Sequence, residues 1–489
     1  MNHTHRSYLF KHIVCAISLF FISCSYGNKS KTNSNPTNQA TNILLVIVDD
    51  LGQRDLGIYG STFYETPNID AFAKRSVTFS NAYAASPVCS PTRAAIMTGK
   101  DPARLKITDW ISGWGDKNKR MKTPKIREQL PLEEITLAEL AKQQGYKTFF
   151  AGKWHLGKKG YHPDQQGFAI NKGGFHGGRP YHGYYAPYKN PKLKEGPEGE
   201  YLPDRLTQET IDFMLANKSA PFLAVLSFYT VHTPIQASKR HIAYYKEKAK
   251  ARGFKTGKPV TVKEGRSVTT VQQQNAAYAS MVAAMDENIG RLLSALRSSG
   301  LDKSTTVIFT SDNGGLATNR KSGAPTSNAP LRAGKAFLYE GGIRIPLIIQ
   351  APSQNTRGAV NDTPVTSVDL FPTIAALLAA NDLPENLDGV NLLPLLASTT
   401  ATDDQRALYW HYPHYHTAGW RPGGAIREGN WKLVEHFETG DIELYNLSED
   451  LSEQHDLSKN HPEVASSLYS KLKKWRRYIG AEMPVMRKR

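Results

Sequence analysis

Three short stretches of this chain are predominantly apolar or β-branched and carry no charged residue, and they restrict its fold more than any other feature. Asn42 to Val48, Ala220 to Tyr229 and Thr305 to Thr310 are short and rich in β-branched or aromatic side chains. They do not alternate with polar residues, so both faces must be covered, as in the inner strands of a parallel sheet clothed by helices. A chain of 489 residues, 40% of them hydrophobic, can bury such a core. The expected fold is α/β, with a large central, mostly parallel sheet sandwiched by helices.

Each stretch ends in polar residues. The first runs into Asp49 and Asp50, the second into Thr230, Val231 and His232, and the third into Ser311, Asp312, Asn313 and Gly314. Sheets of this kind place ligands beyond the C-terminal ends of their strands. Adjacent carboxylates there are costly unless a cation or hydrogen bonds compensate them. Asp49, Asp50, Asp312 and Asn313 together would offer hard oxygen ligands from two neighbouring strands. Independent solvated turns at the two places are the alternative.

Capping signals organise the intervening chain. Thr136 opens a helix that Gly145 closes. A strand from Tyr146 to Ala151 then delivers Lys153 and His155, two residues apart, to one side of an extended segment. Amphipathic helices are expected around Arg205 to Leu215 and from Gln272 to Arg297, with a further helix from Val368 to Leu378. Residues 160–203, rich in Gly, Tyr, His and Lys, and the basic stretch 239–270 read as loops. From about Ala401 the pattern changes to short alternating strands near 408–412, 424–427, 431–435 and 442–445, as in an antiparallel meander, followed by a helix from Pro462 to Ile479. This suggests a main unit over 42–385 and a small C-terminal α+β subdomain over 386–489. His411, His414, His416, Trp420 and Arg421 form a dense aromatic and basic cluster expected at a pocket rim.

Residues 1–24 read as an export signal, since Arg6 and Lys11 precede an apolar run too short to span a bilayer. Phe21 to Cys24 resembles a relaxed bacterial lipobox, which makes Cys24 a candidate for lipidation and membrane anchoring, with simple cleavage as the alternative. Residues 25–41, rich in Ser, Asn and Thr, read as a flexible tether. The protein is expected to be exported, to the periplasm or cell surface. Of the 3 cysteines, only Cys89 then lies in the mature body, so no internal disulfide framework is available. A formal charge of +17 favours polyanionic partners. No helix-turn-helix, zinc-finger or RNA-binding signature accompanies it, so nucleic acid is not expected. A sulfated polysaccharide is an equally good polyanion.

Cys89 stands ahead of an apolar run that suits a buried helix, at or near a helix N-terminus where anions are attracted. Arg93 lies one turn on, able to fix the side chain at position 89. A lone cysteine is commonly an inert core thiol. Here Cys89-Ser90-Pro91-Thr92-Arg93, followed by Met97-Thr98-Gly99-Lys100, resembles the maturation signature of the type I sulfatases. That signature is Cys-x-Pro-x-Arg with a downstream Leu-Thr-Gly-Arg, so only the tail is altered, at Met97 and Lys100. The resemblance extends to Asp49-Asp50, to Gly152-Lys153-Trp154-His155, to His232-Thr233-Pro234, to Asp312-Asn313 and to the segment from Leu331 to Pro346. These motifs occur in the family's order over roughly Asn42 to Glu482.

The resemblance implies an alkaline phosphatase-like fold and conversion of Cys89 to formylglycine (3-oxoalanine) by a formylglycine-generating maturation enzyme. It also implies one calcium ion held by Asp49, Asp50, Asp312, Asn313 and the residue made from Cys89. In that pattern Arg93, Lys153 and His155 contact the formylglycine or the sulfate, Lys335 meets the sulfate, and His232 contacts the leaving-group oxygen. The implied activity is sulfate-ester hydrolysis on carbohydrate, with sulfated algal polysaccharide fragments of the carrageenan-type galactan or ulvan class as the expected substrate. A phosphoryl-transfer hydrolase of the same superfamily and a non-catalytic lipoprotein that binds polyanionic glycans are the alternatives.

Overall fold

In the computed structural model, residues 41–254, 258–320, 323–352, 358–397 and 406–488 are described. The expected signal, lipobox Cys24 and tether lie outside the described residues, apart from Thr41. The three apolar stretches form strands Asn42–Val48, Phe222–Ser227 and Thr305–Ser311, every residue of them buried. Asn42–Val48 lies between the other two and is parallel to both. Lys147–Gly152 and Ile170–Lys172 continue the sheet on the Phe222–Ser227 side. On the other side come Leu347–Gln350, Val77–Phe79 and Ala359–Asn361, which complete 8 strands. Only Leu347–Gln350 runs against the common direction.

Two apolar layers cover the sheet. The odd residues of the first strand, Ile43, Leu45 and Ile47, pack with helices Cys89–Thr98, Leu137–Gln143 and Leu370–Leu377. The even ones, Leu44, Val46 and Val48, pack with Leu202–Ala216 and Ala276–Ser299. This is the period-two alternation of strand side chains, with both faces dry. Helix starts follow local chemistry. The Thr136 hydroxyl accepts from the Glu139 N–H at 3.2 Å while Glu139 returns a bond to the Thr136 N–H at 2.9 Å, and Asn275 caps the long helix through the Ala277 and Tyr278 N–H groups.

The stretch 239–270 is not a loop. It contains helix Ile242–Ala251 and a hairpin of Thr261–Glu264 with Ser267–Thr270. Lys246 and Lys250 face outward while Lys248 lies over the Phe63 ring, and the single buried ring of the helix, Tyr245, packs edge-on against Phe63 at 5.8 Å. One anchoring ring leaves little apolar periodicity in the sequence, so the charges outweigh the helical pattern there. The stretch 160–203 is largely irregular as expected, apart from the short edge strand Ile170–Lys172 and a single turn at Pro163–Gln165.

The C-terminal strands Leu408–Tyr412, Gly423–Glu428, Trp431–His436 and Ile442–Asn446 form the expected antiparallel meander, with helix Pro462–Ile479 on one face. The other face packs on Tyr83, Phe337, Tyr339 and Ile343 of the main body. A buried ion cluster joins the two. The Lys432 ammonium lies 2.9 Å from both Glu340 and Glu453, all three with 0% exposure, while Arg344 and the Tyr83 hydroxyl also bond Glu340. Removing one partner from such a cluster leaves a buried charge unmatched. Lys432→Met is expected to lower unfolding free energy by about 3–5 kcal/mol, measured by denaturant titration; a loss below 1 kcal/mol would show the cluster to be solvated.

Candidate active site

The parallel register pairs Val48 with Ser311, so the residues that follow each strand leave the sheet at the same edge. Asp49, Asp50, Asp312 and Asn313 meet there, all buried. The Asp50 N–H donates to Asp312 Oδ1 at 3.1 Å, and Asn313 Nδ2 donates to Asp50 Oδ1 at 2.8 Å. Three cations arrive from three other segments. Lys153 Nζ lies 2.8 Å from both Asp49 oxygens. Arg93 grips Asp312 Oδ2 through Nε at 2.8 Å and Nη2 at 2.7 Å, with Asp49 Oδ1 at 3.4 Å. Lys335 Nζ is 2.7 Å from Asp50 Oδ1. Three carboxylates are thus balanced by three cations.

Cys89 is the first residue of helix Cys89–Thr98, so its side chain projects from the helix N-terminus and is 3% exposed. Its Sγ and carboxylate oxygens of Asp49 and Asp312 all lie within 4.8 Å of one another. Arg93, one turn along, is fixed by the Lys153 carbonyl at 2.9 Å and the Ser227 hydroxyl at 2.6 Å. Burial pushes the Cys89 thiol up, against the pull of Lys153 and Lys335. A thiol so held is not a ready thiolate nucleophile.

Two imidazoles complete the constellation. His232 Nδ1 faces the Thr233 carbonyl at 2.8 Å, and Nε2 faces Asp50 Oδ2 at 3.7 Å. His155 Nε2 faces the Ile111 carbonyl at 2.6 Å, and its Nδ1 is buried without a hydrogen-bond partner. A carbonyl only accepts, so in each ring the proton belongs on the nitrogen facing it and the other nitrogen is a bare acceptor. Burial, helped by Lys335, holds His232 down at about 3, and burial with Lys153 holds His155 well below the ordinary range.

The site fits a hard cation. Asn313 Oδ1 is buried and accepts no hydrogen bond, although its amide neighbours the Asp50 carboxylate. Burial, with Asp312 and Asp50 adding repulsion, pushes Asp49 up despite Lys153 and Arg93. An orphaned amide oxygen beside crowded carboxylates is what a divalent ion with oxygen ligands satisfies. Such an ion would be held by Asp49, Asp50, Asp312 and Asn313, with position 89 adjoining. It would leave the site about two charges positive, suited to an anionic substrate.

Above these groups opens a cleft of about 580 Å³. Asp50, Cys89, His155, His232 and Lys335 line it, while Lys153 and Arg93 lie behind, clamping carboxylates. Its walls include Trp110, Trp114, Arg179, Tyr181 and His416. Trp110 and Trp114 went unremarked in the sequence, although Asp109-Trp110-Ile111-Ser112-Gly113-Trp114 concentrates aromatic and Gly residues soon after the Cys89 helix. Of the cluster expected at the rim, only His416 lines the cleft. His411 bonds the Glu482 carbonyl at 2.9 Å, His414 the Thr108 hydroxyl at 2.7 Å, Trp420 packs on Phe337, and Arg421 pairs with Glu438. His414 and Trp420 thus serve packing between the meander and the main body, and His411 and Arg421 packing within the C-terminal part itself.

A sequence profile described as sulfatase matches residues 41–380, and one described as N-sulphoglucosamine sulphohydrolase, C-terminal, matches residues 333–478. A protein named sulfatase from Formosa agariphila is 30% identical, covering 94% of this chain and 93% of that one. Steryl-sulfatase of Homo sapiens is 30% identical over 78% of this chain and 74% of its own length. Among solved structures, that of Ps i-CgsB in complex with k-i-k-neocarrahexaose has a TM-score of 0.71 and 30% identity, covering 89% of this chain and 93% of the other.

Divalent-cation titration of chelator-treated protein is expected to raise the melting temperature, and Asn313→Leu to blunt that rise at unchanged helix content by circular dichroism; an undiminished rise would remove Asn313 from the ligand set. Burial pushes both His411 and His414 down to about 3 from 6.5. The unfolded chain therefore takes up protons below pH 6.5 that the fold refuses, so their contribution is complete above about 6.5 and is lost as pH falls toward 3. That is ~2 kcal/mol per histidine by pH 5. Denaturant titrations at pH 7.5 and 5 should show a smaller acid loss in His411→Gln and His414→Gln than in the parent.

Proposed function

The chain belongs to the type I sulfatase family of the alkaline phosphatase-like superfamily and is a sulfuric ester hydrolase; on that premise we propose that it removes sulfate from carrageenan-type galactan or ulvan fragments, using formylglycine and calcium. The observation that carries the mechanism is the convergence of Cys89, at the head of its helix, with Asp49 and Asp312 within 4.8 Å. For the glycan, the relevant neighbour is Ps i-CgsB, solved in complex with k-i-k-neocarrahexaose, and the +17 charge and aromatic cleft walls are in keeping with an anionic sugar.

Formylglycine made from Cys89 would supply the attacking hydroxyl, and calcium on Asp49, Asp50, Asp312 and Asn313 would supply Lewis-acid charge at the sulfate oxygens. The protein's own groups do the rest. Lys335 lines the cleft beside Asp50 and meets the charge that grows on the sulfate, with Lys153 behind it. Arg93 holds Asp312 and the helix head in register. The thiol-bearing residue is buried and Pro91 and Arg93 lie inside the helix, so a maturation enzyme must act on the chain before it folds. His232, with Nδ1 anchored on Thr233, presents Nε2 to the cleft, where a proton acquired with substrate passes to the departing sugar oxygen. His155 offers the bare Nδ1 to take a proton from the residue at position 89, clearing the sulfate.

We take 42–385 as the catalytic unit and 386–489 as a subdomain that supports it. Export through the 1–24 signal, with Cys24 lipidated at the periplasmic or cell-surface membrane, is the accompanying proposal. It agrees with an extracellular polysaccharide substrate.

The test is sulfate release by ion chromatography from depolymerised carrageenan, ulvan and glycosaminoglycan fragments, using protein whose position-89 aldehyde has been confirmed by mass spectrometry. Release from galactan or ulvan, abolished by Cys89→Ala, is the expected result; phosphate-ester hydrolysis without sulfate release would overturn the reading. His232→Ala is expected to lower kcat by about 10²–10⁴-fold on sugar sulfates and far less on an aryl sulfate, whose leaving group needs no proton. Equal losses on both would remove His232 from the acid role.

A further inference from the structure

The closed end of the cleft is charge-balanced, but its open end is not. Among the described residues lining the cleft, the cations are Lys335 and Arg179 and the only carboxylate is Asp50. Lys335 and Asp50 are paired at 2.7 Å. Arg179 has no carboxylate partner among the described residues, and its guanidinium lies 5.7 Å from the centre of the Tyr181 ring.

The backbone at Arg179 is held in place. A Cβ at the preceding Gly178 would come within 2.6 Å of the His155 ring, so the chain there lies directly on the imidazole and tolerates no side chain. Upstream, the Phe175 carbonyl accepts from the His155 N–H at 3.2 Å. Downstream, the fully buried Tyr184 donates its hydroxyl to the His232 carbonyl at 2.7 Å. The backbone carrying Arg179 therefore runs between the two segments that bear His155 and His232, and its exposed side chain lines the cleft they enclose. Another part of the cleft is lined by Trp110, Trp114 and His416, in edge-to-face contact at 5.2 Å and 6.1 Å, with Trp114 54% exposed. A flat, wet aromatic surface of this kind receives the apolar face of a pyranose.

We propose that Arg179 reads a second anionic group on the saccharide whose sulfate is removed, while Trp114 stacks on its ring. The site thus selects units that carry two negative groups within one cleft. This rests on the sulfatase reading above and narrows its substrate. The second group is an oxyanion, supplied either by another sulfate ester or by a uronate carboxylate, both of which a guanidinium can grip with two parallel hydrogen bonds.

Calorimetry tests this without turnover. Cys89→Ala protein, with and without Arg179→Ala, is titrated with a monosulfated galactan disaccharide, a disulfated one, and a sulfated disaccharide containing a uronate. The affinity ratio of doubly to singly anionic ligand is expected to fall about ten- to hundredfold when Arg179 is removed, the usual range for a charge-assisted bond, and to be partly restored by Arg179→Lys. A fall only with the disulfated ligand identifies sulfate as the second group, a fall only with the uronate identifies the carboxylate, and a fall with both shows that charge alone is read. An unchanged ratio in both arms overturns the proposal. Absence of sulfate release by the aldehyde-bearing parent would count against the sulfatase substrate reading and would leave these ratios measurable.

Discussion

The structure depends on burying three carboxylates at the ends of two paired strands. Asp49, Asp50 and Asp312 leave the sheet side by side because Asn42–Val48 and Thr305–Ser311 are parallel and in register. Unpaired charges so buried would be prohibitive. Each is answered by a cation from a different part of the chain: Arg93 from the helix that begins at Cys89, Lys153 from the turn after Lys147–Gly152, and Lys335 from the segment before helix Glu340–Ile343. Sheet, helix and distant loop must all be in place before the charges balance, so the geometry around position 89 is fixed by the fold as a whole.

The C-terminal meander takes part in the same arrangement. Lys335 belongs to a segment held at both ends. Arg332 grips Glu264 at 2.9 Å and covers the Tyr339 ring at 3.6 Å, while Glu340 is bound to Lys432 of the meander. His416, from the loop between the first two meander strands, reaches the cleft wall. The subdomain thus helps set the position of one cleft-lining cation, Lys335, and supplies part of the cleft wall.

The cleft has two electrostatic characters. At its floor, cations and carboxylates neutralise one another, burial holds both imidazoles below their ordinary range, and burial pushes the Cys89 thiol up. Towards solvent the walls are aromatic, with Arg179 lacking a carboxylate partner among the described residues. The proposed reaction chemistry draws on the first region, and the proposed discrimination between sugars on the second.

The sequence specified the central strands, since short apolar runs free of charged residues are stable only as inner strands of a covered sheet. It also determined the meander, through its alternation and turns, and the identity of the charged groups at the floor, because each lies in a short motif next to a strand or helix end. It did not separate a rim from a packing seam: His411, His414, Trp420 and Arg421 have rim-like composition, yet each found a partner from a segment remote in sequence or from another loop of the meander. Nor did it reveal helix Ile242–Ala251, whose one buried ring leaves no apolar stripe. Only the tertiary structure decided that Trp110 and Trp114 share a cleft with Arg179. Those groups lie on irregular segments with no periodicity, and their proximity follows from how those segments are tied across the sheet edge rather than from any local preference of the chain.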